Sequence, residues 1–99
     1  MIGSINQKRY PVKNSDVKIL LVDDEPDILE LVGYHLKKEG YTVFTAPDGQ
    51  QGIDIARRQV PALIILDVMM PGMDGMETCE KMRQIPQLKD TLVVFLTAL

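Results

Sequence analysis

The chain contains a single cysteine, Cys79, and a single histidine, His35, among its 99 residues. One cysteine excludes a disulfide within the chain and suits a reducing compartment. One histidine, with no second histidine beside it, gives no basis for a histidine-bound metal. Long apolar runs are also missing: no segment is long enough to span a bilayer, and residues 1–15 lack the apolar stretch of a signal peptide. We therefore expect a cytoplasmic protein with no membrane partner.

Excess charge of either sign is missing as well. The chain has 14 acidic and 11 basic side chains and a net charge of −3, which gives no reason to expect nucleic acid as a partner of this segment. The apolar share of 45% and the charged share of 25% are typical of a globular domain. Residues 1–16 are polar and without a sustained period. They predict a flexible tail, followed by one domain over residues 17–99.

From Val17 onward, apolar runs alternate with helical patterns. The runs predict four strands, at residues 17–22, 41–46, 62–66 and 92–97. The patterns predict helices between Pro26 and Gly40, over 50–59 and over 75–84, with Gly40 as a left-handed cap. Strands that alternate with helices favour a parallel sheet with helices on both faces. Ligands of such sheets bind beyond the carboxyl ends of the strands.

Polar residues end three of these strands: Asp23 and Asp24, then Asp67, then Thr97. Three carboxylates at one edge repel each other, and Mg²⁺, a hard cation that prefers oxygen ligands, relieves that repulsion. Beside Mg²⁺, a carboxylate can attack phosphorus and become an acyl phosphate, and Thr97 can donate its hydroxyl to a phosphoryl oxygen. Taken singly, each residue also has an ordinary structural interpretation, such as an acidic pair near the positive end of a helix dipole. Together, on successive strand ends, they indicate a phosphoryl-transfer site.

Three segments resemble the signature segments of response-regulator receiver domains: Val22–Glu25, Leu66–Gly75 and Leu96–Ala98. The most specific of them reads Asp67-Val68-Met69-Met70-Pro71-Gly72-Met73-Asp74-Gly75. The resemblance covers residues 17–99 and implies an α/β, flavodoxin-like parallel sheet. It also implies a receiver in a two-component phosphorelay, which accepts a phosphoryl group from a sensor histidine kinase or a phosphotransfer protein.

The resemblance assigns a role to each matching residue. Asp67 is the phosphoacceptor and Thr97 the switch hydroxyl. Mg²⁺ is bound by the carboxylates of Asp23, Asp24 and Asp67 and by the backbone carbonyl of Met69. Ala98 leaves room for phosphate, while Pro71 and Gly75 shape the loop after the phosphoacceptor. Such a domain is a signalling module and not an enzyme that turns over a substrate.

Receiver domains of this family continue past the fourth strand with a helix, a fifth strand that ends on Lys-Pro, and a final helix. These 99 residues contain no counterpart of that part. We therefore expect an incomplete receiver of the form βαβαβαβ, with strand order 2-1-3-4. Its fourth strand would be an open edge beside bare apolar sheet, so we expect a homodimer or an exchange of elements between copies.

Two other functions stay open at this point. One is a Mg²⁺-dependent aspartyl phosphatase, although such enzymes usually carry a second aspartate two residues after the nucleophile, where this chain has Met69. The other is an interaction module of receiver shape that works without phosphorylation. That module would have no use for the acidic residues or for Thr97.

Overall fold

The computed structural model describes residues 13–97. Four strands form one sheet: β1 Lys18–Val22, β2 Thr42–Ala46, β3 Leu63–Asp67 and β4 Leu92–Leu96. Three helices connect them: α1 Pro26–Lys38, α2 Gly49–Gln59 and α3 Gly75–Arg83. All strand pairs are parallel, in the order β2-β1-β3-β4, which confirms the predicted α/β architecture. No helix within residues 13–97 has the length and apolar character needed to cross a membrane.

Strand β1 is the most deeply buried part of the sheet, because it lies between β2 and β3 and is covered on both faces. Its residues Ile19 to Val22 are at most 2% exposed. Leu20 and Val22 pair with Ile64 and Leu66 of β3 and join the main core cluster with α2 and α3. Burial on both faces explains why this strand has an unbroken apolar run instead of an alternating one.

Helix α1 packs against β1 and β2, outside the core cluster that α2 and α3 form. Its buried stripe passes through Gly33, where an added Cβ would lie 3.8 Å from Cγ2 of Thr45. The predicted stripe included Leu31 and His35, and for these two residues the prediction was wrong. Leu31 is 56% exposed and His35 is also exposed. The added Cβ would make only an ordinary van der Waals contact there, so packing against the sheet places Gly33 on the buried side without requiring a glycine.

The amino-terminal boundary also differs from the prediction. Residues 1–12 of the expected tail lie outside the described part, but Asn14–Asp16 form a short 3-10 turn against the domain. The Asn14 side-chain amide donates to the carbonyl of Glu39 at 2.7 Å, and the Thr42 hydroxyl donates to the carbonyl of Ser15 at 2.8 Å. These bonds join the turn to the end of α1 and the start of β2, so the ordered domain begins before Val17.

Strand β4 lies at one edge of the described sheet, as predicted. Its side chains are less covered than those of the other strands: Leu92 is 60% exposed, and Val94 and Phe95 are each 39% exposed. Leu92 and Val94 pair with Leu63 and Ile65 of β3. Within residues 13–97, α1 covers β1 and β2 and leaves this part of the sheet face accessible.

Helices α1 and α2 are each followed by a residue with a left-handed backbone conformation, a glycine after α1 and a valine after α2. Gly40, after α1, has φ +97°, as the sequence predicted, and glycine adopts this conformation without a steric penalty. Val60, after α2, has φ +46° and ψ 65°, and its N–H donates to the carbonyl of Ala56. A β-branched residue in this region is strained, because its Cβ crowds the following carbonyl.

Replacing Val60 by glycine removes that strain and keeps the backbone hydrogen bond. We expect Val60→Gly to raise the free energy of unfolding by about 1 kcal/mol in urea denaturation. Val60→Ala is the matched control, because it keeps the Cβ and should stay near the wild-type stability. A Val60→Gly protein less stable than wild type would show that the strain is absent.

Candidate functional site

The parallel register places the acidic residues on neighbouring strand ends. Val22 pairs with Leu66, so Asp23, directly after β1, lies beside Asp67, the last residue of β3. Asp23, Asp24 and Asp67 each offer a carboxylate oxygen, and these oxygens lie within 4.8 Å of one another. The convergence that the sequence predicted is therefore present.

Backbone groups hold two of the three carboxylates in place. Asp23 is 4% exposed, and its Oδ1 accepts a hydrogen bond from the N–H of Glu25 at 2.8 Å. Asp67 is half-buried, and its Oδ1 accepts from the N–H of Met69 at 3.2 Å. Asp24 is exposed. Each of the first two carboxylates thus uses one oxygen on the backbone and has a second oxygen for a ligand.

The surroundings of Asp67 raise the pKa of its carboxyl. Burial raises the pKa of its carboxyl above the ordinary value, and the negative charges of Asp23 and Asp24 and a side-chain hydrogen bond with Asp24 raise it further. The N–H of Met69 acts in the opposite direction. The protein neighbours of Asp67 therefore compensate its ionised form only in part, and a nearby cation would stabilise that form further.

A cleft of about 500 Å³ opens at this edge of the sheet. It is lined by the three aspartates and by Thr97 and Met69, so the predicted phosphoacceptor, metal ligands and switch hydroxyl all border it. Thr97 comes directly after Leu96, the β4 partner of Asp67 in the register, and is exposed. Ala98 lies outside the described residues.

Sequence reasoning gave no role to five residues that line the same cleft: Glu25, the two apolar α1 residues Ile28 and Val32, and the strand-end residues Val68 and Leu96. Glu25 follows the acidic pair directly, and the two apolar residues belong to the first turns of α1. The apolar periodicity of α1 could have indicated them, but periodicity does not show that part of a helix stripe borders a cleft instead of the core.

The donor set of the cleft fits Mg²⁺. The three carboxylates supply hard oxygen ligands, and the exposure of Asp24 allows water to complete an octahedron. Asp23, Asp24 and Asp67 are the residues that would hold the ion. The predicted ligation by the carbonyl of Met69 stays a prediction.

The loop after Asp67 folds back onto it through the start of α3. Gly75 is buried, and its N–H donates to the carbonyl of Val68 at 3.0 Å. A Cβ at this position would collide with the backbone carbonyl oxygen of Asp67 and lie 2.9 Å from the Cα of Val68. Asp74 caps α3 by accepting from the N–H of Glu77 at 2.9 Å. Gly75 therefore allows a helix end to contact the backbone of the acidic residue itself.

This contact makes Gly75→Ala strongly unfavourable. We expect it to lower the free energy of unfolding by about 2 kcal/mol or more, because backbone atoms must shift, and to weaken Mg²⁺ binding, measured by calorimetry. Gly72→Ala is the matched control: Gly72 has φ +76° but open space around it, so the substitution should cost about 1 kcal/mol and leave Mg²⁺ binding intact. Equal effects of the two substitutions would contradict the packing argument.

The raised pKa of Asp67 has a consequence for stability. The folded state holds this proton more tightly than the unfolded state, so stability falls as pH rises from the unfolded pKa through the raised folded pKa. We expect Asp67→Asn to unfold at higher urea concentration than wild type at neutral pH without divalent cations. The difference should vanish in acid, below the unfolded pKa.

The control for this prediction is Asp90→Asn, which removes a charge from an exposed turn before β4. Mg²⁺ at ten times its Kd should stabilise wild type by about 1.4 kcal/mol and stabilise Asp67→Asn less. An Asp67→Asn protein that is less stable than wild type at neutral pH would contradict the assigned repulsion.

Comparison with known proteins identifies the family of this chain. A profile of the family described as "Response regulator receiver domain" matches residues 19–99. The alkaline phosphatase synthesis transcriptional regulatory protein PhoP of Bacillus subtilis is 49% identical over 67 residues. That match covers 68% of this chain and 28% of PhoP, so the chain corresponds to a minor part of that relative.

Solved structures show the same likeness. The chemotaxis protein CheY4 of Vibrio cholerae is 37% identical, with a TM-score of 0.78 over 80% of this chain and 66% of that chain. A chain from the complex of histidine kinase ThkA with response regulator protein TrrA is 39% identical, with a TM-score of 0.74 over 83% of this chain and 69% of that chain. By its sequence, its sheet order and its acidic cleft, this chain belongs to the response regulator receiver family of two-component signalling.

Proposed function

We propose that this receiver accepts a phosphoryl group on Asp67 in a Mg²⁺-dependent reaction. The observation that carries the proposal is the convergence of Asp23, Asp24 and Asp67 within 4.8 Å in a cleft that Thr97 also lines. The half-buried position of Asp67, at the end of the strand next to β1, supports its assignment as the acceptor. In this assignment the exposed Asp24 and the buried Asp23 are metal ligands together with Asp67.

The chain's own residues perform the transfer as follows. The N–H of Met69 holds Oδ1 of Asp67 and orients the carboxylate, which leaves its second oxygen to attack phosphorus. A bond forms between that oxygen and phosphorus, the bond from phosphorus to the donor breaks, and the donor group leaves with its electron pair. Thr97 donates its hydroxyl to a phosphoryl oxygen. Mg²⁺, when bound, neutralises the charge that develops on the phosphoryl oxygens.

The donor in this proposal is the phosphohistidine of a sensor histidine kinase or of a phosphotransfer protein. The match to a chain from the ThkA–TrrA complex, which contains a kinase and a response regulator, supports a partner of this kind. Receiver domains are signalling domains, and we extend this to propose that the chain passes its state to a partner without turning over a substrate. The cytoplasmic location stays a prediction.

The expected homodimer or exchange of elements is also a proposal. Its support is the partly exposed apolar edge strand β4, with Leu92 60% exposed and Phe95 39% exposed. An edge strand without charged side chains offers unpaired backbone groups for another copy.

The alternative of an aspartyl phosphatase has little support in this cleft. Its acid/base position is occupied by Met69, a thioether that cannot exchange a proton, and the side chain is 80% exposed. The alternative of a phosphorylation-independent module does not explain why three carboxylates meet in one cleft against their mutual repulsion.

Incubation with acetyl phosphate and Mg²⁺ tests the proposed acceptor. We expect intact mass spectrometry to show one added phosphoryl group on wild type, none on Asp67→Asn, and the signal to disappear with a chelator. Asp90→Asn, which removes an exposed carboxylate outside the cleft, should be modified like wild type. A phosphoryl group that persists on Asp67→Asn would overturn the assignment.

A further inference from the structure

The segment around the phosphoacceptor contains four methionines with very different exposure: Met69, Met70, Met73 and Met76. The Met69 side chain is 80% exposed and that of Met76 is 55% exposed. Met70 is 7% exposed, and Met82, further along α3, is 1% exposed. The burial of Met70 and Met82 follows from packing, because both side chains belong to the main core cluster. The exposure of Met69 is not explained by packing.

Exposure decides how readily a thioether is oxidised, because the oxidant must reach the sulfur. Peroxides transfer one oxygen atom to sulfur: an S–O bond forms, the O–O bond breaks, methionine becomes the sulfoxide and hydrogen peroxide becomes water. The side chain changes from apolar to strongly polar. By exposure, Met69 should react first among the described methionines and the buried Met82 last.

Met69 also lies where such a change would affect the acidic cleft. It lines that cleft together with Asp67, and its own N–H donates to Oδ1 of Asp67 at 3.2 Å. A sulfoxide oxygen carries partial negative charge. The sulfoxide is also larger and more polar than the thioether, at the edge of the cleft through which a phosphodonor must approach.

We propose that Met69 is a sulfoxidation site at the mouth of the phosphoacceptor cleft, and that its oxidation by peroxides slows phosphorylation of Asp67. The second half of this inference rests on the proposed function. The oxidant is a peroxide of the hydrogen peroxide class, and a methionine sulfoxide reductase would restore the thioether.

The experiment treats the full chain with limiting hydrogen peroxide and follows each methionine by peptide mass spectrometry. We expect Met69 to be oxidised about fivefold faster than Met70 and Met82, and faster than Met76. Phosphorylation by acetyl phosphate with Mg²⁺ is then measured before and after peroxide. The rate for wild type should fall about threefold or more and return after reductase treatment.

Two leucine variants, each compared with its own untreated sample, identify the methionine responsible. Leucine has a similar volume and cannot be oxidised. Met69→Leu should lose the response to peroxide, whereas Met76→Leu should keep it. Slower oxidation of Met69 than of Met76, or an unchanged rate in protein oxidised at Met69, would overturn the proposal. If untreated protein is not phosphorylated at all, the proposed function has failed, and the peptide map alone decides whether Met69 is the oxidation site.

Discussion

The mutual repulsion of three carboxylates is the constraint on which the rest of the site depends. Asp23 and Asp67 extend from adjacent parallel strands, and their separation is fixed by the register that pairs Val22 with Leu66. The fully buried β1 strand makes that register rigid, because a slip of one residue would turn its core-facing side chains to the opposite face of the sheet. The core therefore keeps together charges that would separate in a flexible chain. A cation bound in the cleft would lower the repulsion between them.

The features that follow from local chemistry could be predicted from the sequence. Unbroken apolar runs predicted the positions of β1 and β3, and the alternation of strands with helices predicted that the strands are parallel, while the strand order followed from the family resemblance. The rule that parallel strands present their carboxyl ends at one edge was enough to bring Asp23, Asp24 and Asp67 together. Resemblance to the receiver family supplied the roles of these residues, which geometry alone leaves open.

The features that depend on tertiary packing could not be predicted in the same way. The buried side of α1 is set by its packing on β1 and β2, so Leu31 and His35 are exposed although they fit a helical stripe. The turn at Asn14–Asp16 is held by bonds to Glu39 and Thr42, which are distant in sequence. Val60 adopts a left-handed conformation that its residue type disfavours, and nothing in the sequence pattern predicts it.

The contact between Gly75 and the backbone of Asp67 links the chemistry of the acceptor to the position of α3. The first turn of that helix rests directly on the peptide group that carries the carboxylate, with no side chain between them to absorb a displacement. A displacement of the Asp67 peptide group therefore also displaces the amino terminus of α3. Any change of charge that shifts this peptide group can tilt a whole helix at the surface, where another macromolecule could detect it.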